Sequence, residues 1–292
     1  MSAVIIDGKE IAARIRSEVG SRTAELKEKG IVPCLAVVLV GENPASISYV
    51  TGKQKALAAA GMADRSVHLP ESTTESELLS LIDRLNRDAA VHGILVQLPL
   101  PAHIDEDKVI MAIDPLKDVD GFHPVNVGNL LIGRKAFLPC TPHGIVVLLE
   151  KMHIPTDGKR VVVIGRSNIV GKPVAVLLSR KAYNATVTLC HTGTRDLASI
   201  TRQADIVIVA AGRPGTLTAD MVKPGAAVID VGVNRIPDPT KKKGFHLEGD
   251  ADFDSIKEIA SYITPVPGGV GPMTIAMLMV NTLEAAENTL TR

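Results

Sequence analysis

Ser46, Tyr49 and Lys53 recur at intervals of three and four in Gly41-Glu-Asn-Pro-Ala-Ser-Ile-Ser-Tyr-Val-Thr-Gly-Lys53. On a helix that spacing puts all three on one face. A Lys beside a Tyr can move protons near neutral pH only if burial or neighbours lower its pKa. The same residues also fit a plain surface helix with a solvated Lys and a half-buried Tyr. Two further positions bear on that choice. Gln97 ends the run Gly93-Ile-Leu-Val-Gln-Leu98, just before Pro99 and Pro101, and is a poor residue for a buried strand unless it has a polar role. Asp120 sits in Asp118-Val-Asp-Gly-Phe-His-Pro124, a rigid turn that can present a carboxylate to a ligand. Turn chemistry alone accounts for Asp120-Gly121 equally well.

A second group of residues suits phosphate. Val161-Val-Val-Ile-Gly165-Arg-Ser-Asn-Ile-Val-Gly171 runs from an apolar strand through a loop to a helix start, and another strand follows at Ala185. In such a βαβ unit, glycines admit the pyrophosphate and the helix N-terminus stabilises its charge. The spacing departs from GxGxxG, so a tight βα turn explains the glycines as well. The next strand ends Leu189-Cys-His-Thr192 without the carboxylate that commonly holds the ribose of NAD. Arg166, His191, Thr192 and Arg195 instead offer cations and a hydroxyl, which suit the 2′-phosphate of NADP. In the C-terminal part, Pro265 to Pro272 reads either as a stiff connector or as a loop whose glycines approach a ligand.

The elements that must position these residues follow from composition and patterning. The 292-residue chain balances 32 Lys+Arg against 32 Asp+Glu and is 46% hydrophobic, which excludes disorder and argues against a nucleic-acid or membrane partner. Cys34, Cys140 and Cys190 show no metal or disulfide spacing, and no metal site is expected among the histidines His68, His103 and His143. No signal peptide or membrane span is expected, so the reading is a cytoplasmic protein. Aromatic residues make up only 2%, so Val, Ile, Leu, Ala and Met must build the core. Short Val/Ile runs begin at Leu35, Gly93, Arg160, Ala185, Asp205 and Ala227, and they lack strict alternation. Such runs are strands covered on both faces, as in parallel α/β sheets. Turn signals between Asp114 and Pro142 mark a boundary, and Lys241 to Lys243 reads as a solvated turn. The expected fold is two α/β domains. Residues 1–142 form the first, residues 143–272 a Rossmann-like second, and a C-terminal helix within 273–292 returns to the first.

Six motifs in order carry a family resemblance: Asn43-Pro-Ala-Ser46 with Tyr49 and Lys53; Val96-Gln-Leu-Pro-Leu-Pro101; Asp118-Val-Asp-Gly-Phe122; Pro139-Cys-Thr-Pro142; Gly165-Arg-Ser with Ile169-Val-Gly171; and Thr264-Pro-Val-Pro-Gly-Gly-Val-Gly-Pro-Met-Thr274. Over its full length the chain resembles the FolD family of bifunctional methylenetetrahydrofolate dehydrogenase/cyclohydrolases. The resemblance implies NADP-dependent oxidation of 5,10-methylenetetrahydrofolate to the methenyl form, followed by hydrolysis to 10-formyltetrahydrofolate. It implies a folate site of Tyr49, Lys53, Val96, Gln97, Leu98 and Asp120, flanked by the loop Pro267, Gly268, Gly269, Val270 and Gly271. Lys53 would be the catalytic residue, with Tyr49, Gln97 and Asp120 beside it, and Asp120 would hold the pterin. Gly165, Arg166, Ser167, Thr192 and Val233 correspond to cofactor positions, and a homodimer is implied. Thr192 stands where Ser is usual and Val233 where Ile is frequent, but the hydroxyl persists. Two other readings are a monofunctional dehydrogenase and a non-catalytic folate- or nucleotide-binding regulator. Retention of Lys53, Gln97 and the phosphate loop speaks against both.

Overall fold

The continuous apolar runs become parallel strands in the computed structural model, which describes residues 2–241 and 244–291. Lys242 and Lys243 of the expected solvated turn lie outside those residues, as do Met1 and Arg292. β1 (Val4–Ile5) and α1 (Gly8–Glu28) open the chain. Two units follow, one of residues 13–140 with 275–292, the other of residues 1–12 with 141–274.

The first unit contains β2 (Cys34–Val40), α2 (Pro44–Ala59), β3 (Ala63–Asp64), β4 (Val67–Leu69), α3 (Glu75–Arg87), β5 (Gly93–Val96), α4 (Glu106–Ala112) and α5 (Pro124–Leu131). β2 is buried along its whole length and pairs in parallel with β5 on one side and with β3 and β4 on the other. Its alternate residues Cys34, Ala36, Val38 and Val40 pack with Leu78, Ile82 and Leu85 of α3 and with Ile94 and Val96 of β5. α2 begins where the sequence signals it. Asn43 accepts hydrogen bonds from the amides of Ala45 and Ser46, and Pro44 follows, where a missing N–H costs nothing.

The second unit contains α6 (Cys140–Lys151), β6 (Arg160–Ile164), α7 (Gly171–Ser179), β7 (Thr186–Cys190), α8 (Leu197–Thr201), β8 (Ile206–Val209), β9 (Ala227–Asp230), the antiparallel pair β10 (Asn234–Pro237) and β11 (Phe245–Glu248), α9 (Phe253–Ile256) and β12 (Tyr262–Ile263). The last helix, α10 (Val270–Glu287), starts in this unit and runs on in the first. Its parallel six-stranded sheet has the order β1-β12-β9-β8-β6-β7. The chain steps from β6 outward to β7 and then returns to the other side of β6 as β8. Open α/β sheets place ligands at such a reversal, beyond the carboxyl ends of the two strands.

The N-terminus departs from the expected boundary at residue 142. Val4 and Ile5 pair with Tyr262 and Ile263, so β1 extends the second sheet and satisfies backbone groups of β12 that would otherwise form an open edge. At the other end the expected return occurs. α10 from Ile275 onward belongs to the first unit, where Glu287 pairs with Arg22 of α1 at 2.6 Å. Among the described residues no helix is long and apolar enough to cross a membrane.

Candidate active site

Lys53 is 7% exposed despite its charge, because α2 turns this face onto the sheet together with Ser46, Val50 and Leu57. Its Nζ donates to Oε1 of Gln97 at 2.9 Å. The Gln97 amide is oriented by its other end, where Nε2 donates to the carbonyl of Leu98 at 2.7 Å. β5 stops at Val96, yet the Gln97 N–H still reaches Val38 O at 2.8 Å and keeps the residue in line with the strand. Burial pulls the Lys53 pKa below its ordinary 10.5, and the nearby Asp120 charge opposes that shift. Tyr49, one turn earlier, is 45% exposed and presents its ring outward.

Asp120 is held from below. Asp118, buried one strand-end away, accepts from the amides of Gly121, Phe122 and His123 and from Asn126 Nδ2, which closes the turn around Asp120. Gly121 has φ +75, and a Cβ there would sit 2.7 Å from Phe137 O. That residue must be glycine. Desolvation raises the Asp120 pKa, and Lys53 and the neighbouring Cys140 side chain lower it, while the Cys140 thiol donates to the Val119 carbonyl at 3.4 Å. Asp120, Phe122, Val96 and Leu98 line one pocket. The structure therefore brings Lys53, Gln97, Asp120, Val96 and Leu98 into one neighbourhood of the first unit.

Cys140 and Asn281 belong to the same neighbourhood and escaped the sequence reading. Asn281 Nδ2 donates to Val119 O at 2.8 Å and Leu138 O at 3.0 Å, and Cys140 Sγ lies 3.7 Å away. A lone amide in the apolar run Met277-Leu-Met-Val-Asn281 was the available signal.

The remaining candidates lie in the second unit. Gly165, Arg166 and Ser167 follow β6, Thr192 follows β7 and Val233 follows β9, so all five gather at the carboxyl end of the sheet. Arg166, Ser167, Thr192 and Val233 are exposed. The helix N-terminus differs from expectation. The Gly171 amide donates to Ser167 Oγ and the Lys172 amide to Ser167 O, while Pro173 has no N–H. Ser167 thus caps α7, and these donors are not turned toward a phosphate. The glycines also have internal tasks. A Cβ on Gly165 would overlap Ala210 O, and one on Gly171 would overlap Gly165 O. In the C-terminal loop, a Cβ on Gly269 would lie 2.6 Å from Thr264 Cβ, and Lys9 N donates to Gly268 O at 3.1 Å. Pro267 to Gly271 therefore pack on the start of α1 within this unit.

Two family models match the chain: the tetrahydrofolate dehydrogenase/cyclohydrolase catalytic domain matches residues 6–120, and the corresponding NAD(P)-binding domain matches residues 139–290. The chain belongs to the tetrahydrofolate dehydrogenase/cyclohydrolase family. A bifunctional FolD protein of Exiguobacterium sibiricum is 60% identical over 285 residues, which cover 98% of this chain and 100% of the relative. The crystal structure of the bifunctional FolD enzyme from Campylobacter jejuni is 51% identical with a TM-score of 0.94, covering 99% and 100% of the two chains. The Trypanosoma brucei family member, solved with NADP cofactor and an inhibitor, is 44% identical with a TM-score of 0.96 over the full length of both. The second unit is thus an NAD(P)-binding domain. Its residues fit the phosphorylated cofactor: Arg166 and Thr192 stand open at the strand ends, and β7 ends in Cys190 with His191 and Thr192 next, no carboxylate among them.

Proposed function

We propose that this chain oxidises 5,10-methylenetetrahydrofolate to 5,10-methenyltetrahydrofolate with NADP and hydrolyses the product to 10-formyltetrahydrofolate. The observation that carries the reading is the buried Lys53 ammonium group paired with Gln97 at 2.9 Å beside Asp120. Bound NADP supplies hydride acceptance. Arg166, Ser167 and Thr192 would hold its 2′-phosphate end, and Gly165 and Val233 would line its path. Loss of hydride from a carbon flanked by two nitrogens leaves a delocalised cation, so the protein needs only to orient the folate for that half.

Hydrolysis needs proton transfer. Desolvation raises the neutral fraction of Lys53, and the Gln97 oxygen occupies one of its N–H groups, so the nitrogen lone pair is left for a water proton. As the water oxygen bonds to the methenyl carbon, its proton passes to Lys53 Nζ. That proton then goes to the N5 ring nitrogen as the N5–carbon bond breaks and the hydroxyl proton left on the adduct is released to solvent, leaving the formyl group on N10. Asp120 accepts the adjacent N–H and amino donors of the pterin ring, and Tyr49 offers its exposed ring to the aromatic part of the substrate. The enzyme acts as a cytoplasmic homodimer.

One assay tests the reading. With methylenetetrahydrofolate and NADP, reduced cofactor should accumulate and the methenyl chromophore should then decay faster than it does without enzyme. Absence of reduced cofactor sinks the proposal, and a persistent chromophore leaves a monofunctional dehydrogenase.

A further inference from the structure

Two buried carboxylates in the second unit take no part in the chemistry above. Asp250 is 0% exposed and Asp230 3%. Asp250 Oδ2 accepts the amides of Ala211 and Gly212, both at 2.7 Å, and its Oδ1 accepts Asn234 Nδ2 at 2.8 Å. Asp230 in turn fixes Asp250, accepting the amides of Asp250 and Ala251 at 3.0 and 2.9 Å, and it also holds Gly232 at 2.9 Å. A Cβ on Gly232 would overlap Asp250 Oδ1, and one on Gly249 would overlap Asp230 Oδ2, so the Asp-Val-Gly and Gly-Asp pairs have room for no other residue.

The turn that Asp250 holds is at the switch point of the sheet. Ala211 and Gly212 follow β8, the neighbour of β6 across the reversal in strand order. Ala210 donates to Ile164 O at 2.7 Å, and its own carbonyl occupies the space a Gly165 side chain would need. The position of this turn therefore sets the floor beneath the phosphate loop. Asn234, the other partner of Asp250, adjoins Val233 after β9. We propose that Asp250 is a positioning residue for the dinucleotide, its carboxylate locking the Ala211–Gly212 turn as one wall of the cofactor crevice before the cofactor arrives. Two amides aimed at one buried oxygen need an acceptor of full strength, and a carboxylate supplies it without bound water. The inference rests on the reading of this unit as the NADP site.

Calorimetric titration of the folate-free enzyme with NADP tests it. Asp250→Ala should bind NADP at least roughly tenfold more weakly than the parent, because a charge-assisted double contact is lost. Asp250→Asn should lose less than Asp250→Ala, since its amide oxygen can replace Oδ2 for both N–H groups while its NH₂ meets the Asn234 Nδ2 donor. KM for the folate should be unchanged in both. Parental NADP affinity in Asp250→Ala, or equal losses in both variants, overturns the inference. Failure of the parent itself to bind NADP would instead overturn the cofactor reading. If Asp250→Ala does not fold, hydrogen exchange on the parent decides. Ala211 and Gly212 amides protected before NADP is added support the inference, and rapid exchange that slows only with NADP overturns it.

Discussion

Replacing Lys53 with Met separates what this side chain does for chemistry from what it costs the fold. Met keeps the aliphatic stem that α2 buries and removes the amine. Opposing terms then compete. Gln97 Oε1 loses its donor, which costs about 1–3 kcal/mol, and Asp120 loses its nearby positive charge, while the penalty for burying the ammonium group, on the order of several kcal/mol, is removed. Their opposition makes the pH dependence the informative quantity. The Lys53 pKa is lowered in the folded chain and stands at its ordinary 10.5 in the unfolded one, chiefly through burial. Between those values the unfolded chain holds a proton that the native state lacks, so parental stability climbs with pH at up to about 1.4 kcal/mol per pH unit. Below the native pKa both states are protonated and the penalty for the buried charge is fully present. Lys53→Met should therefore gain most relative to the parent at low pH, and the gain should shrink as pH rises toward 10.5. Urea unfolding over a pH series measures this directly. Parental cyclohydrolase turnover should rise through the same native pKa, and the variant should show only background hydrolysis. Parallel stability curves across the alkaline range, or normal hydrolysis by the variant, would refute the reasoning.

Arg166→Ala should weaken NADP by about 1.5–3 kcal/mol, roughly ten- to over a hundredfold, and NAD far less, because only NADP carries the 2′-phosphate. Equal losses in titrations of the two cofactors would show that Arg166 does not read that group. Asp120→Asn leaves a pterin donor facing an amide NH₂, at about 1–3 kcal/mol, so both activities should fall together while NADP affinity holds. A fall in one activity alone would mean the two reactions do not share this anchor. Asn281→Ala strips the side-chain donor from the Leu138 carbonyl and leaves Val119 O only the weak Cys140 thiol. At about 1–3 kcal/mol for an orphaned group, the urea midpoint should drop, and an unchanged midpoint would remove its bracing role.

The strands and the cap of α2 were legible because their causes are local. A both-faces-buried strand needs an unbroken apolar run, and Val161 to Ile164 and Ile206 to Val209 contain nothing else. Asn43-Pro44 starts a helix by satisfying amides within its own turn. Strand ends were less well defined: the expected Gly93–Leu98 strand stops at Val96, because the proline at position 99 follows too closely for the ladder to continue.

The sequence by itself determined which residues could do chemistry: a Lys and Tyr one turn apart, a Gln ending a strand, and an Arg-Ser pair after a glycine. Tertiary structure decided how they are used, because burial and long-range hydrogen bonding depend on contacts distant in the chain. Whether Lys53 is a solvated surface group or a buried amine depends on Gln97, 44 positions away. Gly165, Gly171 and Gly269 read as openings for a ligand, yet each also meets protein backbone or side chain at close range. The capping of α7 by Ser167 was equally hidden, since the same residue type serves a helix end or a phosphate. Residues 4 and 5 joined the second sheet because a parallel edge at residues 262 and 263 was open to them, and a strand of two residues carries no periodicity to announce that. Asn281 and Asp250 were invisible for a related reason: a buried polar side chain is explained only by the partners it meets, and theirs lie on other segments of the chain.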